Sequence, residues 1–87
     1  MKRSLQWDID AWKNYLFWQK EDKSILKRIN QLIKEILRHP FSGTGKPEPL
    51  KGNLKGLWSR RINHEHRLVY IVEETTIIIV DCKGHYN

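Results

Sequence analysis

The sequence has a single cysteine, Cys82, and lacks any long apolar run. With one thiol, the chain cannot form an internal disulfide or supply the cysteines of a thiolate zinc site. Apolar runs such as Leu68–Val72 and Ile77–Val80 are far shorter than the ~20 residues needed to cross a membrane. The basic start runs into Trp7 and Asp8 rather than into the apolar stretch of a signal peptide. These absences predict a cytoplasmic protein without a membrane segment.

Acidic residues are scarce relative to basic ones. Ten Asp and Glu stand against sixteen Lys and Arg, so the formal net charge is +6. A chain of 87 residues has room for one hydrophobic core, which predicts a single domain over residues 1–87 and excludes a multidomain enzyme. The positive charge favours a polyanionic substrate or partner, with nucleic acid first and an acidic protein second.

Two helical patterns occupy the first forty residues. Asp8 is a suitable N-cap, and a first amphipathic helix ending near Lys20 is predicted from an apolar stripe of Ile9, Trp12 and Leu16, with Tyr15 beside it. Asp22 or Ser24 can cap a second helix, which must end before Pro40. Its predicted buried stripe consists of Ile25, Ile29, Leu32, Ile33 and Ile36.

Glycine and proline are concentrated in residues 41–56, which hold four of the five glycines and two of the three prolines. This stretch is predicted to be an extended loop that can hold one short strand. The segments 57–63, 67–73 and 75–83 are rich in β-branched and aromatic residues and predict three successive antiparallel strands. Residues 2–6 can add an edge strand. We therefore expect an α+β fold, with the two N-terminal helices packed on one face of an antiparallel sheet.

A cluster of basic residues lies between Lys46 and Arg67, where six cations stand against two acids. Such a cluster is either a solvated surface or a phosphate-binding site. The nearby Trp58 and the placement of the arginines on strands favour phosphate binding, because strands hold guanidinium groups in fixed directions. Strand alternation predicts that Arg60 and Arg61 point to opposite sides.

Glu48 lies between two prolines, so its backbone is stiff and its carboxylate has a defined direction. It is either an ion-pair partner or a general base. His64 and His66 flank Glu65 in a predicted turn, and without further ligands nearby we expect no metal there. His85 and the tyrosine after it follow the last strand, as a frayed tail or as part of a site anchored by the sheet.

Several segments closely resemble the YoeB toxins of YefM–YoeB toxin–antitoxin modules, within the RelE superfamily. The most specific are GKPEPL (45–50), WSRRI (58–62), EHRLVY (65–70) and the terminal HY (85–86), in the family's order and at its spacing. The resemblance covers nearly the whole chain, and Gly52 is among the few visible departures from the pattern. It implies a RelE-like, microbial-RNase-like fold and an endoribonuclease that cuts mRNA in the ribosomal A site.

The resemblance also implies roles for individual residues. Glu48 matches the general base, Arg67 the phosphate-binding arginine and His85 the general acid, with Tyr86 helping to place the substrate. The basic cleft that binds RNA is predicted to include Lys46, Lys51, Arg60 and Arg61. The implied reaction requires neither a metal nor another cofactor.

The expected partners are a YefM-type antitoxin, the ribosome and its mRNA, and operator DNA only as part of the toxin–antitoxin complex. A homodimer is a further expectation. Two alternatives remain open from the residues themselves: a non-catalytic RNA- or DNA-binding module, and an interaction protein that acts as a co-repressor. The joint presence of Glu48, Arg67 and His85 favours the enzyme, because a module that only binds needs no paired acid and base.

Overall fold

The computed structural model describes residues 2–84. Within these residues, two helices and five strands follow one another. They are β1 (Ser4–Trp7), α1 (Ile9–Glu21), α2 (Lys23–Arg38), β2 (Glu48–Pro49), β3 (Trp58–Arg61), β4 (Arg67–Val72) and β5 (Thr76–Asp81), with a short 3-10 turn at Gly52–Leu54. Across the described residues, no helix is both long and apolar enough to cross a membrane.

The five strands form one sheet in the order β1-β5-β4-β3-β2. The pairs β2–β3, β3–β4 and β4–β5 are antiparallel, as the short connections between them require. The predicted N-terminal edge strand is present but lies parallel to β5, with Ser4 opposite Thr76. The expected fold of two helices on an antiparallel sheet is confirmed, with β1 as the one parallel neighbour among the described strands. A parallel pair is feasible here because both helices and three strands separate β1 from β5 in the chain.

Helix α2 follows its sequence pattern closely. Asp22 caps it, since the carboxylate accepts the backbone N–H groups of Ser24 and Ile25. Hydrogen bonds from the Ser24 hydroxyl and from these amides lower the pKa of Asp22. The helix ends at Arg38, ahead of Pro40. Four residues of its predicted stripe are buried and Ile25 is half-buried, and the stripe packs against the sheet residues Leu68, Tyr70, Ile77 and Ile79.

Helix α1 begins after Asp8 as predicted but does not bury the predicted stripe. Ile9, Trp12 and Leu16 are 62%, 39% and 42% exposed, whereas Ala11 and Trp18 are buried. The small Ala11 lets the helix backbone approach the sheet, so that its carbonyl lies 3.6 Å from Sγ of the buried Cys82. The face that packs is therefore rotated from the predicted one. Trp12 packs instead in a surface cluster with Trp7 and Tyr15.

Candidate active site

The strand register brings three of the predicted site residues to one face of the sheet. Glu48 lies opposite Ser59 in the β2–β3 pair, and Arg61 lies opposite Arg67 in the β3–β4 pair. Directly opposed residues share a face, and so do residues two apart on one strand. Glu48, Arg61 and Arg67 therefore lie on the same face, opposite to the face that carries Leu68. Two strand spacings and a two-residue offset place the Cα atoms of Glu48 and Arg67 roughly 12 Å apart.

Arg67 begins β4 and is held from several sides. One terminal nitrogen of its guanidinium donates to the carbonyl oxygens of Asn63 at 2.7 Å and His66 at 3.2 Å. Its backbone N–H donates to the carbonyl of Gly84 at 2.8 Å. The residue is only 8% exposed. These contacts give the guanidinium a fixed position before any ligand arrives, which reduces the reorganisation that binding an anion would require.

Glu48 occupies the edge strand β2 and its side chain is exposed. The strand is short, but it is fixed by pairing with β3 and by the buried Leu50, whose N–H donates to the carbonyl of Leu57. Glu48 and Lys51 help to line a small open cavity of about 220 Å³ beside β2. A stiff backbone thus presents an accessible carboxylate next to a lysine.

Of the four other cations predicted to line the cleft, three are exposed and one is buried. Lys46, Lys51 and Arg61 are exposed. The N–H of Arg61 donates to the carbonyl of Gly45 at 2.7 Å, which ties the loop that carries Lys46 to β3. These three exposed side chains lie on or next to β2 and β3, where a polyanion can reach them.

Arg60 is the exception, because it is completely buried. Its guanidinium donates to backbone carbonyls of the loop after α2, to the hydroxyl of Tyr70 at 3.1 Å and to the carboxylate of Glu35 at 3.4 Å. The loop carbonyls are those of His39, Ser42 and Thr44. The expectation that Arg60 binds RNA does not fit this position. The guanidinium of Arg60 donates its hydrogen bonds within the protein and has no exposed surface. Arg60 therefore stabilises the loop after α2 instead of binding a ligand.

Glu35 and Tyr70 complete this internal network. Hydrogen bonds from Thr44, with a further contribution from the charge of Arg60, lower the pKa of Glu35. Burial raises the pKa of Tyr70, whose hydroxyl donates to the carbonyl of Pro40 at 2.8 Å. The network joins α2, the loop that leads to Glu48, and the centre of the sheet.

The two remaining predicted site residues, His85 and Tyr86, lie outside the described residues. The last described residue is Gly84, whose carbonyl accepts the N–H of Arg67. Its own N–H donates to Nδ1 of His66 at 3.0 Å. Gly84, which precedes His85 in the chain, is therefore adjacent in space to Arg67.

Sequence reasoning missed the structural part played by Asn63 and His66. The side-chain oxygen of Asn63 accepts the backbone N–H groups of Glu65 and His66, which closes the turn before β4. An Asn at the start of a polar turn is a recognisable signal for this arrangement. Nothing in the sequence indicates the contact between His66 and Gly84, because it joins residues 18 apart in the chain.

Solved structures from Staphylococcus aureus have the same architecture. The structure entitled YoeB dimer is 47% identical, with a TM-score of 0.91, and covers 99% of this chain and 100% of that one. The toxin of a YoeB–YefM complex is 46% identical, with a TM-score of 0.88 and the same coverage. The fold, two helices on a mostly antiparallel sheet, is that of RelE-like toxins. The class defined by fold and similarity is thus the toxin of a toxin–antitoxin pair.

Sequence similarity identifies the family. Toxin YoeB of Escherichia coli K12 is 56% identical over 82 residues, which span 94% of this chain and 98% of the relative. The profile of the family described as "YoeB-like toxin of bacterial type II toxin-antitoxin system" matches residues 7–86. The chain belongs to this family of YoeB-like toxins.

Proposed function

We propose that the protein is an endoribonuclease that cleaves mRNA in the ribosomal A site and thereby stops translation. The observation that carries this proposal is the common sheet face of Glu48, Arg61 and Arg67. A carboxylate and an anchored guanidinium on either side of one strand can bracket a single phosphodiester. A module that only binds RNA would need the cations but not the carboxylate.

In the proposed reaction, Glu48 removes the proton from a ribose 2′-OH, and the oxygen attacks the adjacent phosphorus. Arg67 stabilises the negative charge that develops on the non-bridging phosphate oxygens. His85 protonates the departing 5′-oxygen, and Tyr86 helps to place the substrate. Lys46, Lys51 and Arg61 hold the neighbouring backbone phosphates. The reaction transfers protons between protein and substrate and involves no metal.

We further propose that an antitoxin of the YefM type neutralises the toxin by laying an acidic segment over the basic cleft. The net charge of +6 supports such a partner, and so does the similarity to the toxin of the S. aureus YoeB–YefM complex. Operator DNA is then bound by the complex rather than by the toxin alone. The similarity to the S. aureus structure entitled YoeB dimer supports a homodimer of the free toxin. A substrate on the ribosome is consistent with a cytoplasmic protein.

Primer extension on mRNA in programmed ribosomes tests the enzymatic proposal. The parental protein is expected to cut within translated codons. Glu48→Gln keeps the shape of the side chain and removes the base, so single-turnover cleavage should fall by ~10²–10⁴-fold. His85→Gln should lose a similar factor. The control is Glu74→Gln, which makes the same charge change at an exposed position between β4 and β5 and should cut at the parental rate.

Ribosome binding and circular dichroism are measured on the same samples. If Glu48→Gln and His85→Gln are folded, bind ribosomes and cut at the parental rate, the acid–base assignment is wrong. If the parental protein binds ribosomes and makes no cut, the non-catalytic binding module replaces the enzyme. Cleavage that persists in a stable antitoxin complex would contradict occlusion of the cleft.

A further inference from the structure

The side chain of His66 lies at the junction of three segments. It is only 12% exposed, and its ring packs edge-on against Trp18 of α1, with 4.8 Å between ring centroids. The turn closed by Asn63 fixes its backbone. Nδ1 of the imidazole accepts the N–H of Gly84. Nδ1 therefore serves as a hydrogen-bond acceptor for the backbone of the segment after β5.

The segment after β5 is fixed at successive peptide groups. The side chain of Asp81 accepts the N–H groups of Cys82 and Lys83. The carbonyl of Cys82 accepts the indole N–H of Trp18 at 3.0 Å in a buried position. Gly84 is then held on both sides, by His66 at its N–H and by Arg67 at its carbonyl. Its φ of +106° belongs to the left-handed region that favours glycine.

His66 and Arg67 are consecutive residues, and β4 begins at Arg67. Arg67 presents the phosphate-binding guanidinium, and both residues hold the peptide of Gly84. The next residue in the chain is His85. We propose that His66 is a positioning residue: it fixes the peptide of Gly84, the residue before His85, and thereby limits where the general acid can lie relative to Arg67. This inference rests on the proposed function, in which His85 donates the proton.

Two substitutions separate the hydrogen bond from the packing of the ring. His66→Phe keeps a ring against Trp18 and removes the acceptor. His66→Asn loses the ring but places an acceptor oxygen close to the position of Nδ1. His64→Phe is the matched control, because His64 is exposed in the same turn. Each variant is measured for single-turnover cleavage on programmed ribosomes, for ribosome affinity, and for hydrogen-exchange protection of the Gly84 amide by NMR.

We expect His66→Phe to lose protection at Gly84 and to cut roughly 10- to 100-fold more slowly, since a small displacement of a reacting group has effects of this size. Its ribosome affinity should be unchanged. His66→Asn should retain protection and cut within about threefold of the parental rate, because the replaced contact is a single hydrogen bond. His64→Phe should match the parental protein in all three measurements.

The criterion is that cleavage follows Gly84 protection across the variants. If His66→Phe cannot be folded, His66→Asn is the deciding variant. The proposal is supported if this variant keeps both Gly84 protection and the cleavage rate, or loses both. A folded variant that loses protection and keeps its rate overturns it, as does one that keeps protection and loses its rate. Absence of cleavage by the parental protein would instead refute the proposed function.

Discussion

The two neighbouring arginines of β3 provide a sharp test of how the fold is held. We predict that Arg60→Met greatly destabilises the domain, whereas Arg61→Met, one residue further, changes the free energy of unfolding by about 0.5 kcal/mol or less, as is usual for exposed sites. Both substitutions remove one positive charge and introduce the same side chain. They differ in environment, because Arg60 is fully buried and Arg61 is exposed.

The magnitude follows from the partners of Arg60. Its loss leaves three backbone carbonyls and the Tyr70 hydroxyl without their donor. Water can reach the surface loop and replace part of these bonds, and the Met side chain fills part of the volume. Breaking a buried charged network in this way typically costs ~3–5 kcal/mol. A domain of this size has a total stability of ~4–13 kcal/mol, so Arg60→Met should lose between about a quarter and all of it.

Urea unfolding followed by circular dichroism and tryptophan fluorescence measures the effect. With a slope of ~1–1.5 kcal/mol per molar for a small domain, the midpoint of Arg60→Met should fall by about 2–5 M. The Arg61→Met midpoint should stay close to the parental one, while its affinity for RNA falls. A difference of less than about 1 kcal/mol between the two variants would refute the reasoning, since that is the size of one ordinary hydrogen bond.

Two further predictions concern the loop after α2 and the buried thiol. Gly43→Ala and Gly56→Ala should each lower the free energy of unfolding by ~1–2 kcal/mol, because both glycines have a positive φ. Gly43→Ala should melt at the lower temperature, because its Cβ would lie 1.7 Å from Glu35 Oε1, whereas the Cβ at position 56 meets nothing within 4 Å. Equal melting temperatures would contradict this. Burial raises the pKa of Cys82 to about 12, so at pH 8 the thiol is protonated in the folded state and should react with a disulfide reagent only after urea unfolding. Rapid labelling of the native protein would show that the thiol is accessible.

The sequence predicted correctly those elements whose residues repeat with a regular local period. The stripe of α2 repeats with helical period, and four of its five residues are buried as expected. In α1 the aromatic residues suggested the wrong face, because close packing at the sheet favoured the small Ala11 over Trp12. The direction of β1 depends on a pairing with residues some seventy positions away, which no local signal specifies.

For the candidate site, the sequence predicted which strand face each arginine occupies but not which arginine is buried. Strand alternation correctly separated Arg60 from Arg61, and the register places Arg61 and Arg67 on the face of Glu48. Alternation could not tell which arginine would be buried, because the acceptors of Arg60 come from a glycine-rich loop whose path depends on the whole fold. The contact of His66 with Gly84 was hidden for the same reason.

The parallel pairing of β1 with β5 determines when the sheet can form during synthesis of the chain. Strand β1 must wait for β5, since Ser4–Trp7 pairs with residues 76–79 in the described part of the chain. Until β5 emerges, β4 also lacks one of its two neighbours in the sheet. Pairing over such a long sequence separation is slow relative to local helix formation. A growing chain therefore cannot complete the sheet before residues 76–81 have been made, whereas its two helices can form earlier.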